Sequence, residues 1–89
     1  MLYCLVCIDK ENSIETRMEN REDHLKYVAE TNVVKFAGPF LSEEDIMLGS
    51  LIVIDVDNKM SAEKWSNNDP YKKANLFKRI EIFKFKQLI

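Results

Sequence analysis

Residues 2–9, Leu-Tyr-Cys-Leu-Val-Cys-Ile-Asp, are apolar on both alternations, and this pattern predicts a strand with both faces covered. From Ser13 to about Thr31 the period changes to that of a helix. Asn12 or Ser13 offers an N-cap, with Glu11 or Glu15 near the positive helix end. At 100° per residue, Ile14, Met18, Leu25 and Val28 fall within about 80° of one another and form an apolar stripe expected to face the sheet. Glu15, Glu19, Glu22, Asp23 and Lys26 occupy the opposite side. Val33 to Phe40 reads as a second strand that must end, bulge or lie at an edge at Gly38-Pro39, because proline donates nothing to a ladder. A loop with the acidic run Glu43-Glu44-Asp45 spans Leu41 to Met47, and Leu48 to Val56 is a third strand, again apolar on both faces. Asp57-Asn58 turns the chain, Ser61 caps a short helix through Trp65, and Asn67-Asn68-Asp69-Pro70 breaks it. Pro70 suits the first turn of another short helix with Asp69 as its cap, and Phe77 to about Phe85 is the last strand.

The order β-α-β-β-α-β is that of the ferredoxin-like split βαβ arrangement, an α+β fold whose four-stranded antiparallel sheet carries helices on one face. An 89-residue chain forms a single domain, residues 1–89, and buries only about 60–65% of the surface its unfolded form exposes. Apolar residues nevertheless make up 46% of it, and the strands at 2–9 and 48–56 would leave an apolar sheet face open. A second copy packed face to face would hide that surface, so a homodimer is expected, with further assembly left open.

Charge adds little to this picture and excludes some functions. The net charge of −2 argues against bulk attraction to nucleic acid or to a membrane. Residues 9–24 carry −3, whereas 72–86 carry +5 through Lys72, Lys73, Lys78, Arg79, Lys84 and Lys86 against Glu81, as suits either a solvated edge strand or an anion-attracting rim. Phe77, Phe83 and Phe85 alternate with these bases, but aromatics so placed in a strand belong to a core. Without a long apolar run or a signal-peptide pattern, the expected compartment is the cytoplasm. Cys4 and Cys7 have the C-x-x-C spacing, yet on a strand they point to opposite faces about 10 Å apart, too far for a bridge or a shared metal.

Candidate chemistry gathers on the first helix. Relative to Ile14, Arg17 lies at about −60°, Arg21 at −20° and His24 at −80°, so these polar residues border or enter the apolar stripe. A charge at the margin of a core needs a partner or a wet cleft. His24 is the only histidine. Its ordinary pKa near 6.5 suits proton transfer near neutrality, provided a carboxylate orients the ring. Asp69, at the break between two helices, can supply it, and that role is compatible with capping the helix that Pro70 begins. The competing account has the arginines snorkelling and His24 making one structural hydrogen bond. Neither a phosphate-cradling glycine loop nor a nucleophile elbow is present, and one histidine gives no zinc set, so no cofactor or metal is expected.

The chain resembles the YciI-like (YCII-related) family. The resemblance rests on Met1-Leu2-Tyr3, on Arg17-x3-Arg21-x2-His24-Leu25, on Ala37-Gly38-Pro39, on Gly49-Ser50 and on Trp65-x3-Asp69-Pro70-Tyr71, which occur in that order over nearly the whole length. It implies a ferredoxin-like fold that dimerises through its sheets into an α+β barrel, and a cleft built round a histidine and an aspartate, here His24 and Asp69, with Arg17 and Arg21 nearby. The wider group includes lactone isomerases and a dehydrochlorinase that uses such a pair on a chlorinated aromatic. The sequence departs from the family pattern at Glu22 and Lys84, where proline is frequent, and at Asn75, where glycine is common.

Two functions follow. In the first, the protein is a cofactor-independent enzyme of isomerase, lyase (dehydrohalogenase) or hydrolase type. His24 shuttles the proton, Asp69 sets its tautomer, Arg17 or Arg21 holds a carboxylate or developing enolate, and Ser50 and Tyr71 supply hydroxyls. In the second, it is a non-catalytic dimeric module binding a small anion or a partner, with His24–Asp69 as a structural pin.

Overall fold

The computed structural model describes residues 1–89. Strand β1 (Leu2–Asp9) leads into helix α1 (Ile14–Thr31) and the hairpin β2 (Val34–Leu41) and β3 (Met47–Asp55). Helices α2 (Lys59–Asn67) and α3 (Pro70–Lys73) precede β4 (Phe77–Phe85). The sheet order is β2-β3-β1-β4 with every neighbouring pair antiparallel, a ferredoxin-like α+β fold. Strand β2 runs through Gly38-Pro39 without ending because it lies at the edge, where a missing N–H is tolerated.

Alternation along the strands sorts the side chains into two layers. Tyr3, Leu5 and Cys7 of β1 and Ile52 and Ile54 of β3 are buried and form one core with Ala62 and Trp65 of α2. Trp65 is fixed from both ends, its Nε1–H donating to Thr31 Oγ1 at 2.9 Å and its carbonyl accepting from the Tyr27 hydroxyl at 2.7 Å. On the opposite sheet face, Cys4 lies between Val53 and Phe83 in the register, and Phe36, Phe83 and Phe85 are exposed. Cys4 and Cys7 thus occupy different faces as free thiols.

Helix α1 departs from expectation in its rotation. Ile14, Met18 and Leu25 are 42%, 53% and 45% exposed, and only Val28 of the expected stripe packs against the core. The buried residues of the helix are Arg17 and His24, with Asn20, Tyr27 and Thr31 half-buried beside them. The covered face is therefore centred about 90° round from the apolar stripe. Hydrophobic transfer alone would turn Met18 and Leu25 inward, so this rotation of α1 is held by the Arg17–Asp9 ion pair and the His24–Asp69 hydrogen bond, with Tyr27 and Val28 packed against the core.

Smaller corrections concern element ends. Asn58 rather than Ser61 caps α2, its side chain accepting from the Ser61 N–H at 2.8 Å, and α2 continues past Trp65 to Asn67. The loop between β2 and β3 is shortened to residues 42–46, where Ser42 Oγ accepts from the backbone N–H groups of Glu44 and Ile46. Ser13 occupies the N-cap position of α1 without a side-chain cap bond. Helix α1 is continuous through Glu22. Asn75 has φ of 62°, the left-handed conformation that glycine adopts freely and asparagine tolerates.

Gly49 sits where the β1 backbone leaves no room for a side chain. A Cβ there would lie 2.1 Å from the carbonyl oxygen of Cys7, whereas one at Gly38 would meet nothing within 4 Å. Gly49→Ala is expected to destabilise the fold by about 2–3 kcal/mol, because backbone and not a side-chain tip must yield. Gly38→Ala should stay within about 0.5 kcal/mol of the parent. Urea unfolding of both variants checks the pair, and equal stabilities would refute the close contact.

Candidate functional site

Break, cap and imidazole partner coincide at Asp69. Residues 67–69 end α2, and Pro70 starts α3 with its fixed φ, placing Asp69 at the N-cap. Its Oδ1 accepts from the Tyr71 backbone N–H at 2.9 Å and lies 2.7 Å from His24 Nδ1. His24 and Asp69 are 7% and 2% exposed, although 45 residues separate them in sequence. A carboxylate in that place selects the tautomer with the proton on Nδ1, which leaves Nε2 as an acceptor. Nε2 makes no hydrogen bond within the chain, and no buried side-chain nitrogen or oxygen is left unpartnered, so Nε2 reaches solvent. His24 is also one of the residues that line a cleft between α1, β2 and β3.

A second pair stands alongside. Arg17, 3% exposed, presents its Nε–Nη2 edge to Asp9, with Nε donating to Oδ2 at 2.8 Å and Nη2 to Oδ1 at 2.9 Å. Nη2 also donates to Ser50 Oγ at 2.9 Å. Burial by itself would lower the Arg17 pKa, and the bond and charge of Asp9 more than offset it, so the guanidinium stays charged. Its carbon sits 4.8 Å from the centroid of the Tyr71 ring, and that ring stacks on His24 at 4.0 Å and 13°. Arg17, Tyr71 and His24 thus form a column seated at both ends on a carboxylate. Burial pushes the Tyr71 phenol above its ordinary range, although Arg17 and Arg21 pull it down, so at neutral pH it is a hydroxyl and not a phenolate.

The column forms one wall of a cleft of about 390 Å³ between α1, β2 and β3. Arg17, Arg21, His24, Ser50 and Tyr71 line it, so five of the six residues singled out from sequence meet there. The sixth, Asp69, stands behind His24. Leu25, Val28, Val34, Pro39, Met47 and Ile52 supply the apolar remainder. Arg21 is exposed and has no ion-pair or hydrogen-bond partner in the chain, which makes it the free cation of the cleft. Asp9 escaped sequence reasoning, because an acid ending an apolar strand looks like a solvent-facing terminus. Its signal was position, eight residues before Arg17 and at the end of a strand under the helix. Cys7 is no candidate nucleophile, since burial pushes its thiol up to about 12. No three His, Cys, Asp or Glu side chains come together in a way that could hold a metal ion.

This constellation is an acceptor nitrogen, hydroxyl donors and one unpaired cation around an apolar pocket. It can take a proton from a small molecule and hold the anion that results.

Comparison with known proteins places the chain. A family model described as the YCII-related domain matches residues 1–86. An uncharacterised protein of Haemophilus influenzae is 28% identical, and the protein YciI of Escherichia coli O6:H1 is 25% identical, each alignment covering 99% of both chains. Among solved structures, a 5-chloro-2-hydroxyhydroquinone dehydrochlorinase from Burkholderia phenoliruptrix AC1100, in complex with 2,5-dihydroxybenzoquinone, superposes with a TM-score of 0.88 at 25% identity, covering 97% of this chain and 94% of that one. An antibiotic biosynthesis monooxygenase, at 6% identity and a TM-score of 0.58 over 98% of this chain and 100% of its own, shares the fold alone. With its motifs, its fold and a family match over almost its entire length, the chain belongs to the YCII-related domain family.

Proposed function

We propose that the protein is a cofactor-independent enzyme that removes a proton from a small, planar organic anion and expels a leaving group, a reaction of the dehydrohalogenase type. The observation that carries this reading is the imidazole of His24, with Nδ1 held by Asp69 at 2.7 Å, Nε2 free of any partner in the chain, and the residue lining the cleft. Nε2 takes the proton, the electron pair left on the substrate forms a new double bond, and the leaving group departs with its bonding electrons. The imidazolium, stabilised by Asp69, returns its proton to solvent. Arg21 offers charge to the anion, and the hydroxyls of Ser50 and Tyr71 donate to oxygens on which charge develops. Isomerisation or hydrolysis would use the same base with another fate for the carbanion. The likeness to the dehydrochlorinase favours elimination, as does a cleft with one apolar wall and an aromatic–imidazole stack against which a ring can lie.

One observation favours a second reading, in which the protein is a module that binds a small anion without turnover. The His24–Asp69 pair is nearly sealed and shares its oxygen with a helix cap, as a structural pin would. Chloride release from 5-chloro-2-hydroxyhydroquinone separates the two. For the enzyme, wild type releases chloride, and His24→Gln lowers kcat/KM by at least about 10²-fold while the fold persists. For the module, no chloride appears from wild type or variant.

The working unit we propose is a homodimer that joins the open sheet faces through Phe36, Phe83 and Phe85, in the cytoplasm. Exposed aromatics in a row on a sheet are seldom left to water. Sedimentation should give twice the 10.5 kDa of one chain, and Phe83→Glu should give the single chain. A wild type that sediments as one chain at tens of micromolar would remove the dimer.

A further inference from the structure

Arg17 and Arg21 stand on one helix beside one cleft, yet they are not equivalent. Both oxygens of Asp9 lie on the Nε–Nη2 edge of Arg17, so the charge of that guanidinium is neutralised inside the protein. The remaining Nη2 proton goes to Ser50 Oγ. A serine hydroxyl has one proton and two lone pairs. With a lone pair engaged by Arg17, and with no acceptor for the Ser50 proton anywhere in the chain, the hydroxyl is polarised to donate into the cleft that it lines. Backbone geometry supports this placement. Gly49 lets β3 press against β1 beside Cys7, the residue paired with Ser50, and Asp9 lies two residues further along the same strand.

We propose that Asp9 is a positioning residue: by fixing Arg17 against Ser50 it turns the Ser50 hydroxyl into a dedicated donor to an anionic oxygen of the ligand, and it leaves Arg21 as the cation that sets the ligand's charge. This rests on the reading of the cleft as a site for a small organic anion, and it defines the class further. The ligand carries one oxyanion near Ser50 on a flat ring that lies along the Tyr71–His24 stack, and a second acidic group or its charge faces Arg21. The two carboxylates then divide the work. Asp69 keeps His24 Nε2 an acceptor, and Asp9 keeps Ser50 Oγ a donor, so the cleft presents the two opposite functions that proton abstraction next to a carbonyl or enol requires.

Charge alone predicts the reverse of this geometry for one variant, which makes the proposal testable. Asp9→Asn removes a negative charge beside an anion site. If Asp9 only tuned the local field, the anion would bind more tightly. If it positions Arg17 and Ser50, binding weakens, because the amide cannot accept both donors of the fork and Ser50 loses its fixed partner.

The test uses 2,5-dihydroxybenzoquinone as probe, a planar ring with acidic enol oxygens, titrated by calorimetry into wild type, Asp9→Asn, Ser50→Ala and the double variant. Each single variant should bind about tenfold more weakly, the loss of one hydrogen bond to a charged group, and the double variant no more weakly than either. The visible absorption band of the probe should shift on binding to wild type, and that shift should be lost in both single variants. Arg17→Lys keeps the charge and loses the fork, and it should reproduce Asp9→Asn; if Asp9→Asn does not melt cooperatively, Arg17→Lys paired with Ser50→Ala replaces it in the cycle with the same expectations. Tighter or unchanged binding by Asp9→Asn, or losses that multiply to about a hundredfold in the double variant, overturns the positioning role while the site itself stands. No binding by wild type overturns the reading of the cleft and this inference together.

Discussion

Two buried polar pairs, the Arg17–Asp9 ion pair and the His24–Asp69 hydrogen bond, decide how α1 sits on the sheet. Arg17 to Asp9 and His24 to Asp69 tie the helix at points two turns apart, one to the end of β1 and the other to the start of α3. The Arg17–Asp9 ion pair adds little net stability compared with apolar residues of the same volume, because each charge must leave water. Removing one partner is another matter and typically costs about 3–5 kcal/mol, since the other is left buried and uncompensated. Their effect is on which arrangement is adopted. Any rotation of α1 that turned Met18 and Leu25 inward would break both pairs at once, so the helix stays in the orientation that builds the cleft, and its apolar stripe is left partly in water.

This explains which parts of the molecule the residue pattern revealed. Strand alternation, the Asp69-Pro70 break and the turn residues act locally, so the elements and the ferredoxin-like order were legible within a few residues. Pro39 narrowed β2 to ending, bulging or lying at an edge, and the strand takes the edge. Joining His24 to Asp69 was also within reach, since a lone imidazole at the rim of a core and an aspartate at a helix break each lack a partner. The rotation of α1 was not legible, because a periodicity argument weighs apolar positions and ignores tethers made from far along the chain. Asp9 was lost for the same reason: nothing local distinguishes a carboxylate that ends a strand in solvent from one that lies under a helix. Asn58 took the cap expected of Ser61 because both residues satisfy the pattern and only the backbone of the turn selects between them.

The comparisons and the geometry address different questions. The monomeric fold recurs in proteins as distant as 6% identity and so carries no chemistry. What the dehydrochlorinase adds, at 25% identity and near-complete overlap, is support for the elimination we propose for a cleft lined by His24, Ser50, Tyr71 and the unpaired Arg21.

Asp69 Oδ1 serves two neighbours, the imidazole nitrogen and the first backbone amide of a four-residue helix. So short a helix has no cooperativity of its own and frays readily unless its ends are pinned. Were α3 to open, one oxygen would be released from both neighbours, Tyr71 would leave its stack, and His24 would lose the restraint on its tautomer. The shape of the cleft is thereby tied to one turn of backbone as closely as to the core beneath it.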